Sequence, residues 1–187
     1  MRAPAPACRG EGPHALWHVS EDPGLTRFAP HRAATALTDE PLVWAIDTRH
    51  LPLYWFPRDC QRCTFWAGER TTATDAERFL AGDRTARVHV IEDRWLGRVA
   101  SAKLQLYRMP QATFIESADT AGYWVSREPV DALDRVTIGD LVGRHAAAGI
   151  ALHAVPELWP LWDSIVASTL EFSGMRLRNA RRTTEPS

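Results

Sequence analysis

The run from Leu42 to Cys60 leaves its backbone few choices. Val43, Trp44, Ala45 and Ile46 form a short apolar, partly β-branched segment, which suits a strand buried on both faces. Asp47 and Thr48 follow with side-chain oxygens that can cap the N–H groups of a helix start. Pro52 is tolerated in the first turn of such a helix and Pro57 ends it. The chain is therefore expected to pass from strand directly into helix. Such a junction sets polar and aromatic groups at the carboxyl end of a strand, a common ligand position in mixed sheets.

At 187 residues the chain has the length of one domain. Residues 1–13 are rich in Pro, Ala and Gly and lack periodicity, so they read as a mobile tail. One globular domain is expected over residues 14–177, with a frayed polar tail over 178–187. The net charge of −1 gives no pull toward anionic membranes and no strong nucleic-acid signal. Lys103 is the one lysine, a bias that follows high-GC codon usage rather than a functional arginine preference. No apolar run approaches the roughly 20 residues that span a bilayer. The first residues carry no apolar h-region, so a secretory signal is not expected and the cytoplasm is the expected compartment.

Cys8, Cys60 and Cys63 are too few for a disulfide framework. Cys60-Gln-Arg-Cys63 has the spacing of half a zinc site or of a redox pair. No second pair completes it, so no metal is expected and two unrelated thiols are the better reading.

Strands are expected at Leu16–Ser20, Arg62–Trp66, Ala86–Glu92, Lys103–Met109, Gly122–Ser126 and Ile150–Val155, with shorter ones at 113–116 and 130–138. Helices are expected from an Asp75 cap to Leu80, from Asp93 to Ala102, from Leu141 to a Gly149 cap, and from Pro160 to Phe172. The sum is an α+β domain of mixed, mostly antiparallel sheets with flanking helices.

Four groups stand out as chemical candidates. His18 and Ser20 share one face of the first strand. Trp44 lies in the apolar strand, with Tyr54 and Trp55 after it. Glu116 and Asp119 form an acidic set beside Phe114. Arg127-Glu128 after Trp124 reads as a surface ion pair of little value. Cys60 could also act as a nucleophile with His18 or His50 as base, though little around it supports that.

The order of these groups resembles the ADP-ribosyltransferase-like fold, and the small rifamycin ADP-ribosyltransferases in particular. The likeness runs through Leu16-Trp17-His18-Val19-Ser20, an aromatic-bearing strand leading into a helix, an alternating strand stopped by Pro110, and Tyr123-Trp124-Val125-Ser126-Arg127-Glu128-Pro129. The resemblance implies that His18, with Ser20, holds a ribose of NAD. It implies that Trp44, standing where the family has a tyrosine, stacks on the nicotinamide, with Tyr54 nearby. Glu116 or Asp119 falls near the family's acidic residue, and NAD would be the substrate with an unknown acceptor. The whole chain also resembles an uncharacterised bacterial family marked by His-x-Ser-Glu-Asp-Pro and by Leu-Tyr-Trp-Phe-Pro-Arg-Asp-Cys, a likeness that implies no activity. The alternative is a non-catalytic module binding a nucleotide, another small ligand or a protein through Trp44, Tyr54 and Trp55. The two readings separate on geometry, because catalysis needs His18, an aromatic ring and a carboxylate in one cleft.

Overall fold

The computed structural model describes residues 15–32, 40–117 and 122–182. In chain order the elements are β1 (Leu16–Ser20), β2 (Arg27–Phe28), β3 (Val43–Asp47), β4 (Arg62–Trp66), α1 (Ala73–Leu80), β5 (Arg87–Glu92) and α2 (Leu96–Ser101). There follow β6 (Leu104–Met109), β7 (Ile115–Glu116), β8 (Tyr123–Ser126), β9 (Val130–Asp131), β10 (Asp134–Ile138), α3 (Leu141–Ala147), β11 (Ile150–Val155), α4 (Trp159–Val166) and β12 (Glu171–Met175). The architecture is α+β with mostly antiparallel strands. It divides into two compact units, Met1–Trp55 with Lys103–Ile138, and Phe56–Ala102 with Gly139–Ser187.

The first unit is a six-stranded antiparallel sheet in the order β10-β6-β1-β3-β8-β7, with the small β2-β9 ribbon beside it. Register decides which residues become core. Leu16 pairs with both Asp47 and Met109, which sets Leu16, Met109, Tyr107, Ala45 and Val43 on one face. Phe28, Phe114 and Val130 close over them. The buried Tyr107 keeps its hydroxyl satisfied by donating to the Asp22 carbonyl, 2.6 Å away.

The second unit is a four-stranded sheet ordered β11-β5-β4-β12, in which only β5 and β11 run parallel. Cys63, Phe65, Val88 and Val90 point to the face covered by Leu80 of α1 and Ile165 of α4. The opposite face carries Arg62, Thr64 and His89, all buried. β11 is an edge strand, and its Ile-Ala-Leu-His-Ala-Val sequence holds no charge and no proline.

Two buried polar groups organise this unit. The Glu92 carboxylate, fully buried, accepts from Gln61 Nε2 (2.5 Å), Arg94 Nε (2.8 Å) and the backbone N–H of Arg181 (2.8 Å). Arg94 also donates to the Asn179 carbonyl, and Asn179 Nδ2 to that of Asp59, so the C-terminal segment is strapped down. His145 of α3 turns its Nδ1 to the Leu141 carbonyl at 2.6 Å, so that nitrogen carries the proton. Its Nε2 then accepts from His89 Nδ1 at 3.1 Å, which leaves His89 Nε2 a buried lone pair without a partner. Both rings are neutral, with pKa values held down chiefly by burial.

Local competition explains where the elements depart from the sequence-based expectations. No full helix follows β3. Asp47 Oδ1 instead accepts from the backbone and ring nitrogens of His50, at 2.8 and 2.9 Å, and a single 3-10 turn, Leu51–Tyr54, follows. Pro57 disfavours helical backbone in the residue before it, so nothing longer forms. α1 is capped by Thr72 rather than Asp75. Asp75 instead accepts from the N–H and hydroxyl of Thr169. That capture, with Ser168 Oγ donating to the Ile165 carbonyl, ends α4 at Val166, where a helix to Phe172 was expected. Phe172 lies instead in β12, paired with Phe65. The expected strand over 130–138 is split into β9 and β10.

Two predictions follow from the second unit. Because the folded-state pKa of the His89–His145 pair lies below the unfolded 6.5, the unfolded chain binds the extra protons, and this part of the stability is lost as pH falls below about 6.5. Urea midpoints should fall from pH 7.5 to pH 5, with a flatter slope in His89→Gln. Trp162 packs edge-on against Phe172 at 5.5 Å and lies over Gly174, where an added Cβ would collide with the indole. Trp162→Ala should cost about 3 kcal/mol. Gly174→Ala should destabilise the native chain but cost much less in the Trp162→Ala background, as read by a double-mutant cycle of denaturant melts.

Candidate functional site

A cleft opens in the first unit where two strands part. β1 and β3 pair only through Leu16–Asp47 and Trp17–Ile46, whereas β1 stays paired with β6 along its full length. Beyond Trp17 the ladder between β1 and β3 stops. The His18 ring replaces it, with Nδ1–H donating to the Trp44 carbonyl at 2.9 Å. A side-chain donor thus satisfies a carbonyl that a neighbouring strand would otherwise take.

The cleft holds about 70 Å³. Its walls are Trp17, Trp44, Ile46, Tyr54 and Tyr123, with His18, Val19 and Ala45 completing the lining. Register accounts for this grouping, since Ile46 pairs with both Trp17 and Tyr123, and Trp44 lies two residues away on the same face. The Tyr123 ring meets Trp44 and Tyr54 edge-on, each at 6.1 Å, and Tyr54 donates to the Tyr123 hydroxyl at 2.6 Å. Trp17 Nε1 donates to Thr48 Oγ1. Trp44 Nε1 is buried and has no hydrogen-bond partner. Arg108, opposite Trp17 on β6, brings its guanidinium to 5.6 Å from the Trp17 ring.

The structure brings three of the sequence candidates to this cleft, His18, Trp44 and Tyr54. Their orientations differ, however. Alternation along β1 sends the His18 ring to the core face, 4.8 Å from the Phe28 ring, while the Trp44 ring lies on the other face. Ser20 is not in the lining; its hydroxyl accepts from the Asp22 N–H in a turn. Glu116 is exposed on β7, and β3 and β8 lie between it and β1. Three strand spacings of about 4.8 Å put it about 14 Å away. Asp119 lies outside the described residues. Arg127 pairs with Glu40 at 2.6 Å rather than with its neighbour Glu128.

Trp17 and Tyr123 were not singled out from the sequence. Each sits in a recognisable alternating strand, but only the pairing of β1, β3 and β8 places them together. His50, weighed as a base, is held by Asp47 and has its ring against Gly122, whose φ of +82° no other residue adopts easily.

The NAD that the resemblance implies does not fit this cleft as it stands. Room for about two waters is far below the roughly 300–1,000 Å³ of ligand pockets. Among the described residues no carboxylate lines it, and His18 Nδ1 is committed to a backbone carbonyl. Among the described residues no group of three or more His, Cys, Asp or Glu side chains is placed to hold a metal ion. Cys60 and Cys63 are free, buried thiols, each pushed up to about 12 by burial, which the nearby Arg62 only partly offsets at Cys60. Neither can serve as a thiolate nucleophile near neutral pH.

The fold and cleft define an α+β protein with a small aromatic-lined cavity. The chain belongs to the family of unknown function DUF6886, whose model matches residues 17–180. No match was found among curated proteins or among solved structures, so the ADP-ribosyltransferase resemblance has no support from these comparisons. No described helix is long and apolar enough to cross a membrane.

The buried thiols give a direct check. In a Cys8→Ser background, native protein at pH 8 should not react with a thiol-labelling disulfide, and both Cys60 and Cys63 should react once denaturant is added.

Proposed function

We propose that the chain is a non-catalytic small-ligand-binding module whose cleft takes the edge of a planar ring. The observation that carries this reading is a cavity walled by Trp17, Trp44, Tyr54 and Tyr123, with no carboxylate among the described residues of its lining. Aromatic walls supply dispersion and edge-to-face contacts, and the buried Trp44 N–H offers a donor to a ring acceptor that reaches it. Arg108 beside Trp17 adds positive charge on the same face, which favours an anionic ring compound such as a nucleotide. The two free thiols suit a reducing compartment, and the cytoplasm is our proposed location.

A transferase acting on NAD is the second reading. Its favouring observation is that β1 and β3 are neighbours, with His18 bonded to the Trp44 backbone. It needs a carboxylate at the ribose to stabilise the developing positive charge; Glu116 is on the far strand β7, and Asp119 lies outside the described residues.

Tryptophan-fluorescence titration against nucleobases, mononucleotides, nicotinamide and NAD separates the two. The binding reading expects quenching by at least one ring compound, weakened about twofold to tenfold by Trp44→Ala, in line with about 0.5–1.5 kcal/mol per edge-to-face aromatic pair. No response from any member at millimolar concentration would sink it. Nicotinamide release from NAD that Glu116→Gln abolishes would instead establish the transferase.

A further inference from the structure

The second unit is nearly balanced as a whole, with 13 arginines against 12 acids, but five of its arginines gather at one end of its sheet. The paired strands β5 and β11 end together at Glu92 and Val155, and each leads toward a helix, α2 or α4. The C-terminal strap crosses this end. Arg94 reaches the Asn179 carbonyl at 2.7 Å, and Arg181 donates its N–H to Glu92. Arg94 and Arg98 lie over the Trp95 ring, 6.0 and 5.2 Å from its centroid, and Arg182 lies over Trp159 at 4.0 Å. Arg178 is exposed on the 3-10 turn Leu177–Asn179. The acids in the same segments are exposed Asp59 and Asp93, half-buried Glu157 beside Trp159, and buried Glu92, which Arg94 already neutralises.

We propose that this surface, Arg94, Arg98, Arg178, Arg181 and Arg182 around the half-exposed rings of Trp95 and Trp159, binds the phosphate backbone of a single-stranded nucleic acid. Three features favour that partner. Guanidinium groups on two linked segments follow a chain of phosphates better than a single anion, and their planar forks match phosphate oxygens. The guanidinium planes laid over the Trp95 and Trp159 rings offer flat faces on which unpaired bases stack and which a duplex does not use. The patch also lies beyond the carboxyl ends of the parallel strands, where open sheets commonly place phosphate ligands. It belongs to the second unit and does not depend on the reading of the aromatic cleft.

Fluorescence anisotropy with a labelled single-stranded 12-mer, on the full chain across a salt series, tests the assignment. Binding should weaken with salt. Arg178→Ala with Arg182→Ala should lower affinity at least tenfold and reduce the log–log salt slope by about 1.4, two contacts at about 0.7 each. Both side chains are exposed, so the melting temperature should stay unchanged. If that pair fails to fold, Arg178→Glu alone should still lower affinity. No binding at 50 mM salt, an unchanged slope in the folded double variant, or equal displacement by inorganic polyphosphate at matched charge would each overturn the proposal.

Discussion

A carboxylate with no access to water must be matched by donors or the fold does not hold. Glu92 meets that condition with three donors from three separate parts of the second unit: Gln61 before β4, Arg94 before α2, and the backbone of Arg181 near the C-terminus. Each donor lies far from the others in sequence, so the carboxylate fixes the end of β5 against the strap and the loop beneath it. The strap in turn holds Asp59 and Arg58 through their carbonyls. Breaking one member would leave a buried charge or amide exposed to the apolar interior, which is why the arrangement stands or falls together.

The first unit solves a different problem, the parting of two strands within one sheet. Where β1 leaves β3, a backbone carbonyl loses its ladder partner and His18 supplies the missing donor. The gap that remains fills with aromatic rings, whose size and edge-to-face geometry close it to a small cavity. The same histidine that made the stretch look like a ribose site is thus explained by backbone accounting, and the ring face of Trp44 is left as the more accessible chemistry of the cleft.

Much of the strand inventory was legible because alternation and proline stops are local signals. β1, β3, β4, β5, β6, β8 and β11 lie within a residue of where the pattern put them. What was not legible depended on partners distant in sequence. Nothing local distinguishes Leu170 and Phe172 in a helix from the same residues at a strand, because Asp75, almost a hundred residues earlier, decides it by capturing Thr169. The cleft was half legible for the same reason. His18, Trp44 and Tyr54 were found from their order, whereas Tyr123 and Trp17 enter through register, and Glu116 is kept away by strand order, neither of which periodicity reports.

The uncharged edge of β11 carries a consequence for how this protein leaves its native state. Edge strands in soluble proteins usually hold a lysine, a proline or a bulge that blocks pairing with another chain. Ile150 to Val155 holds none of these, and Ala151, His153 and Ala154 are exposed. Partial opening of the second unit therefore presents a ready template for intermolecular strand addition. Heating will then be governed by the rate of opening and by chain concentration, so its thermal transition is a kinetic quantity rather than an equilibrium one.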